Sequence, residues 1–533
     1  MLVVAATQLA TLDWLVLAGY FLLLAGSGVF FALRAKRTTS EYFLAAHSMP
    51  VWAVAISILA TAQSAATFTG APEQSYLGDL SYLAINLGNM IAAVVLALVF
   101  IPAYYKQGVS TPYQLLEARF GPGAKLAASW AYMIGRVFAS GSRVFIGAIP
   151  VSIAIFGDRS APHLVIAVGV FMAFGIVYTL AGGITSVIWT DVLQVGVYLG
   201  AVVLAIALLA GQVTAPWSEV VDARRAGAPD GGSKLALIRS GLAPGDGPGP
   251  GTGFDFSQEI NLATILTGFV LMALASYGTD QDLVQRMLTC KDRRAGGRAV
   301  IHGMLVGVPA VAIFMLFGLL LWVYYQRPDL MGGAGAPVPP EKSSDLVLTY
   351  ILSSMPAGAA GLMIAGVMAA GPAGINSGLN SMASTFVSDV YRPARPGRDE
   401  RHYVRVGRLA VAGWGVVLGV FALLCVWWFE HSRQTIIGFV LSVMTFAYAG
   451  LLGVFFTALF TRRGSTRSCI AAMIVGFAVV VILRPEVWEQ WTRLLGLPRA
   501  WQELRIAWPW GLVAGTLAST LACGAASGKA RAA

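Results

Sequence analysis

The chain has 533 residues, of which 57% are hydrophobic and only 12% are charged, with a formal net charge of +10. Soluble domains carry roughly 25% charged residues, so this chain has too few polar side chains to cover its apolar surface in water. The composition excludes an ordinary soluble enzyme or binding domain and predicts a protein whose solvent is lipid.

The apolar residues form long blocks, and a helix needs roughly 20 such residues to cross the hydrocarbon core of a bilayer. A membrane barrel would instead show segments of about ten alternating residues. We therefore predict an all-α polytopic membrane protein with about 13 transmembrane helices. The ninth block is too long for one straight crossing, so we expect it to be tilted, broken or extended beyond the membrane. The predicted spans, in chain order, cover residues 12–33, 50–70, 81–104, 125–152, 162–181, 185–211, 259–285, 299–325, 346–388, 406–429, 434–460, 467–484 and 506–524.

The segments outside the spans are short. The N-terminal stretch has no basic region and no small-residue cleavage site, so we interpret it as an outer tail before a retained first span. Residues 212–258 contain GAPDGG and APGDGPGPGTG and predict an irregular outer loop, and residues 326–345 contain GGAGAPVPP and predict a shorter one. The expected units are 1–49, 50–211 (spans 2–6), the loop 212–258, 259–460 (spans 7–11) and 461–533 (two accessory spans and a tail).

The basic residues predict the orientation, because Lys and Arg are retained on the cytoplasmic side of a membrane. With the N-terminus outside, most of the 36 Lys and Arg residues fall in the inner loops and the C-terminal tail. We therefore predict a cell-membrane protein with its N-terminus outside and its C-terminus in the cytoplasm. The net positive charge follows from this topology and does not indicate nucleic-acid binding.

Two spans are interrupted by polar residues, Gly and Pro. The second reads ILATAQSAATFTGAP, and the seventh ends LASYGTDQDLVQR. Within a bilayer, backbone leaves the helical pattern only where protein or a cavity satisfies it. The two spans are five apart, so spans 2–6 and 7–11 are compatible with inverted repeats whose first helices are broken around a binding site. Alternatively, the small polar residues serve only close helix packing.

Five motifs in order carry a resemblance to a known family. They are SEYFLAAHSMP, TPYQLLEARFG, GGITSVIWTDVLQ, YGTDQDLVQRML and NSGLNSMASTFVSDVY, and the similarity extends from about Asp13 to Arg463. The chain resembles the sodium/solute symporter family. The resemblance implies a LeuT-type core of two inverted five-helix repeats, working by alternating access. It also implies that a sodium gradient carries a small solute inward.

The resemblance also implies a sodium site at the break of the second span. The family's main site takes backbone carbonyls that fall here at Ala60 and Gln63, and serine hydroxyls that fall on Ala373 and Gly374. A hard cation needs oxygen ligands, and neither of the last two side chains supplies one. Sodium is the favoured coupling ion, while proton coupling and uncoupled transport stay open.

A second ion site in some members matches Asn376, Ser377 and Asp191. An ionisable group within a membrane is a functional candidate by default. Asp191 lies near the end of its span, however, and a helix cap or an interfacial position is an alternative role for it. Asp280 and Arg286 are six residues apart around a helix end, and we expect them to form a structural ion pair.

The family's solute pocket gathers side chains from several spans. Sugar carriers have Gln, Glu and a gating Tyr at the positions of Thr67, Asn86 and Ser276, so the resemblance argues against a sugar. The matching positions here are Thr67, Asn86, Asn89, Ser276, Tyr277 and Gln281.

Arg136 and Arg143 are the most unusual residues of the fourth span, since charge at membrane depth costs several kcal/mol. Seven residues are two helical turns, so both point to one face. In sialic acid carriers of the family an arginine on this helix holds the substrate carboxylate. We expect Arg136 at the midplane site, Arg143 on the entry path, and a carboxylate or zwitterion such as an amino acid or organic acid as solute. Alternatively, both arginines pair with carbonyls or acidic groups.

An enzyme is disfavoured, because the five histidines lie in loops or at span ends without a metal-binding or catalytic spacing. A channel or a solute sensor on the same scaffold is a closer alternative. We expect no cofactor other than sodium as coupling ion. The expected partners are the lipid bilayer, the solute and sodium, with no nucleic acid, and the sequence does not indicate the oligomeric state.

Overall fold

The computed structural model describes residues 9–33, 38–225, 227, 232–244, 250–332, 338–430 and 435–525. Helices make up 81% of the described residues. Within the described residues, 8 helices are long and apolar enough to cross a membrane, or up to 11 if each sharply bent pair is one span. Large apolar side chains such as Leu22, Leu98 and Leu521 are more than 70% exposed. Such an apolar exterior fits a lipid environment.

The first half of the chain supplies the helices that surround the break of the second span. A π-helical stretch, Leu96–Phe100, joins α5 to α6. The helices are α1 (Thr11–Leu33), α2 (Thr39–Leu44), α3 (Val51–Ala62), α4 (Ala65–Leu77), α5 (Ser81–Val95), α6 (Ile101–Gln107), α7 (Tyr113–Phe120), α8 (Pro122–Phe156), α9 (Ala161–Ala210) and α10 (Trp217–Arg225).

The second half begins after a two-stranded antiparallel hairpin of β1 (Leu242–Pro244) and β2 (Pro250–Phe254). A π-helical stretch, Ile265–Phe269, joins α11 to α12. The helices are α11 (Leu262–Thr264), α12 (Val270–Gly278), α13 (Gln281–Leu288), α14 (Arg293–Gln326), α15 (Leu346–Ser354), α16 (Ala359–Thr385), α17 (Arg392–Ala394), α18 (Glu400–Glu430), α19 (Ile436–Phe460), α20 (Thr466–Ile482), α21 (Pro485–Leu494), α22 (Arg499–Gln502) and α23 (Trp508–Gly524).

Both predicted breaks are present. Gln63 and Ser64 are extended, with ψ of 152° and 176°, and separate α3 from α4. In the seventh span the bend between the helices Leu262–Gly278 and Gln281–Leu288 is 59°. Asp280 begins α13 as its N-cap, because its side chain accepts a hydrogen bond from the N–H of Asp282. A polar side chain thus caps the helix at the break of the seventh span, whereas Ser64 at the break of the second span makes no side-chain cap.

Two further expectations concern segments outside the breaks. The ninth predicted span is indeed broken, into α15 and α16, and extends as a π-helical stretch through Tyr391. The loop 212–258 is more ordered than expected, since it contains α10 and the hairpin. Lys234 secures this loop, because its ammonium donates to the carbonyls of Tyr76 and Gly78 at 2.7 and 2.9 Å.

Candidate functional site

The two breaks border a cavity of about 130 Å³ that is lined by α3, α4, α5, α8, α12, α13, α14 and α19. Seven of the eight predicted solute-binding side chains line it, together with Gln63 from the first break. Hydroxyl, amide and guanidinium groups therefore line one cavity inside an apolar helix bundle. These seven residues are Thr67, Asn86, Asn89, Arg136, Arg143, Ser276 and Tyr277.

Gln281 is the exception, and the prediction that it lines the solute pocket is not supported by its position. Its side-chain amide donates to the carbonyl of Ser110 at 3.0 Å, and the residue is fully buried. The bend after Gly278 turns the first residue of α13 away from the cavity. Gln281 therefore holds the break against the loop before α7.

Arg143 lines the cavity with an almost unsatisfied guanidinium. Its Nη1 lies 3.4 Å from the carbonyl oxygen of Thr61, and its Nη2 lies 3.5 Å from the sulfur of Met444. Its Nε is buried without a hydrogen-bond partner. Among the described residues, no carboxylate lies within ion-pair distance of Arg143. A buried cation without an anion is costly.

Arg136 also lines the cavity, but its charge is already neutralised. Its Nη1 donates to Asp280 at 2.9 Å, and its Nη2 contacts Asp282. Tyr448 donates to the same oxygen of Asp280 at 2.7 Å. The assignment of Arg136 as the solute anchor is thus disfavoured, because its fork is occupied by two carboxylates from the break of the seventh span. The alternative of acidic partners describes Arg136 better.

Arg286 does not form the expected pair with Asp280. Its guanidinium contacts Asp282 at 2.9 Å and Asp191 at 3.0 Å, and it also donates to Ser377 at 2.6 Å. Ser57 accepts from the Nε of Arg286 at 2.8 Å and donates to Asp191 at 2.5 Å. At the expected second ion site, Asp191 and Ser377 therefore already contact the guanidinium of Arg286.

The first ion site has free carbonyls. The last helical hydrogen bond of α3 runs from the N–H of Gln63 to Leu59. Among the described residues, no backbone N–H bonds to the carbonyl of Ala60 or Gln63. At the other break the situation differs, because Tyr104 and Tyr113 donate to the carbonyls of Gly278 and Thr279. The carbonyls of Ala60 and Gln63 at the break of the second span are therefore without a described backbone donor, whereas those of Gly278 and Thr279 are bonded.

The α16 side of this site is partly open. A Cβ atom added at Gly374 would meet nothing within 4 Å. The side chain of Ala373 lies outside the described residues. Asn376 is buried, and its Oδ1 accepts from Thr179 at 3.2 Å. Gly374 thus leaves space for a side chain on this helix.

The comparison that decides the family is a match to the family model described as "Sodium:solute symporter family", which covers residues 42–476. The chain belongs to the sodium:solute symporter family. The sodium/sialic acid symporter NanT of Aliivibrio fischeri is 29% identical, over 90% of this chain and 89% of that protein. The human sodium-coupled monocarboxylate transporter 1 is 25% identical, over 88% of this chain and 72% of that protein.

A solved structure shares the fold. It is the substrate-bound outward-open state of a Na⁺-coupled sialic acid symporter, with a TM-score of 0.77, 23% identity and coverage of 98% of this chain and 99% of that one. The protein is accordingly a multi-pass membrane transporter, a sodium-coupled symporter of a small solute, and not an enzyme. Sodium is its coupling ion.

Two residues of the polar centre were not predicted from the sequence. Asp282 and Tyr448 both contact the Arg136 cluster, and Tyr448 also lines the cavity. Asp282 lies two residues after Asp280 within the TDQDLVQR motif, so a second carboxylate at a helix start was a visible signal. Tyr448 gave no such signal, because an aromatic residue in an apolar span is usually a packing residue.

Proposed function

We propose that this symporter imports a carboxylate-bearing solute and that Arg143 binds the carboxylate. The observation that carries the proposal is the contrast between two arginines on one face of α8. Arg136 has two aspartates as partners, whereas Arg143 faces the cavity without a carboxylate at ion-pair distance among the described residues, and its hydrogen-bond contacts are a carbonyl and a thioether. A solute carboxylate would give Arg143 two parallel charge-assisted hydrogen bonds.

The remaining lining favours a solute that carries polar groups besides its carboxylate. Amides from α5 and hydroxyls from α4, α5 and α12 surround Arg143, and they include Asn86, Asn89, Thr67, Tyr82 and Tyr277. The relatives named for sialic acid and for monocarboxylates are consistent with this class. An organic acid with hydroxyl or amide groups is therefore the favoured solute, and an amino acid zwitterion is the next candidate.

For the coupling ion, we propose that sodium binds at the break of the second span. The free carbonyls of Ala60 and Gln63 face the part of α16 that contains Ala373 and Gly374 in the family's arrangement. Oxygen ligands are what a hard cation requires. Asp191, Asn376 and Ser377 belong to the proposed second position, where Arg286 already contacts two of the three.

The finer topology is also a proposal. We infer thirteen spans with the N-terminus outside and the C-terminus in the cytoplasm, arranged as two inverted five-helix repeats. The supporting observations are a helix at each of the thirteen predicted positions and the excess of basic residues in alternate loops.

A thermal-unfolding panel tests the solute proposal. The purified protein is heated in sodium or choline buffer with N-acetylneuraminate, L-lactate, L-proline or D-glucose. A ligand that binds only the folded state raises the melting temperature by mass action. We expect stabilisation by a carboxylate in sodium, lost in Arg143→Gln and reduced in Arg143→Lys, which keeps the charge but not the fork. Stabilisation by glucose alone, or equal stabilisation of Arg143→Gln, would overturn the anchor role.

A further inference from the structure

Asp282 occupies a special place in the buried polar centre, because each of its carboxylate oxygens contacts a different arginine. Its Oδ2 contacts Arg136, and its Oδ1 accepts from Arg286 at 2.9 Å. The residue is fully buried. Among the described residues, it is therefore the one side chain that joins the arginine at the solute cavity to the arginine at Asp191.

The joined groups form a continuous ion network within the described core. It contains two guanidinium groups and three carboxylates, which belong to Arg136, Arg286, Asp191, Asp280 and Asp282. If all are ionised, one negative charge remains without a partner inside the network. Charges interact over longer distances in a protein interior than in water, so a cation bound near one end changes the energy at the other end.

We propose that Asp282 is a positioning residue through which sodium binding and solute binding strengthen each other. The proposal rests on the proposed function, since it needs both a sodium and a carboxylate. A cation near Asp191 weakens the hold of Asp191 on Arg286 and strengthens the contact of Arg286 with Asp282. Asp282 then holds Arg136 less tightly, so the positive charge of Arg136 is less neutralised and adds to the attraction of Arg143 for an anion in the cavity.

The geometry of α13 suits this role. Asp282 and Arg286 are one helical turn apart, so they share a face of the short helix and move with it. Arg286 additionally donates to the backbone carbonyl of Asp282 at 2.9 Å. Linkage requires the effect to be mutual: whatever factor sodium applies to solute affinity, the solute applies to sodium affinity.

The test measures that factor in detergent-solubilised protein. Sodium is titrated by thermal unfolding with and without the panel carboxylate that stabilises the wild type, and the ratio of the two apparent sodium dissociation constants is the coupling factor. Asp282→Asn removes the bridge with almost no change in shape. Asp389→Asn is the matched control, since Asp389 is equally buried but accepts only from the neutral Thr111, Gln114 and Ser129.

We expect the coupling factor to fall at least fivefold in Asp282→Asn and to change less than twofold in Asp389→Asn. The double variant Arg136→Gln/Asp282→Asn keeps the net charge of the network. It provides a second test of the bridge if Asp282→Asn alone does not fold. It should lose coupling as well, because the bridge is gone. A wild-type coupling factor in either variant would overturn the proposal. If no panel carboxylate binds the wild type, or sodium and carboxylate bind it independently, the proposed function itself fails.

Discussion

At the scale of single residues, the two arginines of α8 show what a spacing does and does not establish. Their separation of two helical turns correctly predicted that both side chains face one side, and both line the cavity. It gave no information on their partners, because Asp280 and Asp282 come from a helix more than 140 residues away. The ion pairs of Arg136 therefore favour Arg143 over Arg136 as the proposed solute anchor.

Replacing Arg136 should mainly affect stability. Arg136→Met leaves Asp280 and Asp282 buried with one cation fewer, and breaking a buried ion pair from one side costs about 3–5 kcal/mol. We expect a clear fall in melting temperature and in the amount of protein extracted from membranes. Arg143→Met is the matched control and should unfold at a temperature close to that of the wild type, since it removes no ion pair. The same loss in both variants would contradict this division.

Gly374 offers a test of the proposed sodium site. Space around its Cα accepts a side chain without a clash. Gly374→Ser adds a hydroxyl oxygen where the family places one, so the apparent sodium affinity should rise at least threefold. Gly374→Ala is the control, because it fills the same space without an oxygen. If the apparent sodium affinity rises equally in both variants, the change comes from a stiffer helix and not from a new sodium ligand.

At the scale of elements, apolar block length and polar interruption were sufficient to predict the helices and both breaks, because the bilayer forces backbone groups to bond internally. The side-chain connections between elements were not predictable. The segment before α3, for example, is fastened to the seventh span by Gln285, which donates to the carbonyl of Phe43 at 2.6 Å, and by Met49, which donates to Thr289 at 3.1 Å. Such contacts join residues far apart in sequence and leave no periodic pattern.

Gly183 separates the predicted fifth and sixth spans inside α9. Its φ of 61° and ψ of −168° lie in a region that only glycine adopts readily. A Cβ there would lie 2.7 Å from the carbonyl oxygen of Tyr42. Gly183→Ala should therefore destabilise the protein by about 1–3 kcal/mol. Gly200→Ala, on the same helix with open space around it, should leave the melting temperature unchanged or slightly raised. Equal melting temperatures for the two variants would show that the break tolerates a side chain.

At the scale of the whole molecule, the distribution of charge predicts which face is cytoplasmic. All four cysteines are buried, so single introduced cysteines can be labelled against a low background. Cysteines replacing the exposed Arg293 and Arg398 should be protected from an impermeant thiol reagent in intact cells, and one replacing the exposed Ser240 should react. The sequence predicts that a cysteine near Gly249 in the outer loop would also react, but Gly249 lies outside the described residues. Labelling of the first two positions in sealed cells would reverse the orientation.

Transport itself provides the final test. Proteoliposomes containing the wild type or Arg143→Gln are given the radiolabelled carboxylate that binds best, under an inward sodium gradient or with choline in place of sodium. Wild-type protein should accumulate the solute above its external concentration only in sodium. At subsaturating solute, uptake by Arg143→Gln should fall at least tenfold, which corresponds to about 1.4 kcal/mol of lost binding. Equal uptake in sodium and choline, or equal uptake by both proteins, would contradict a sodium-driven symporter that binds its solute through Arg143.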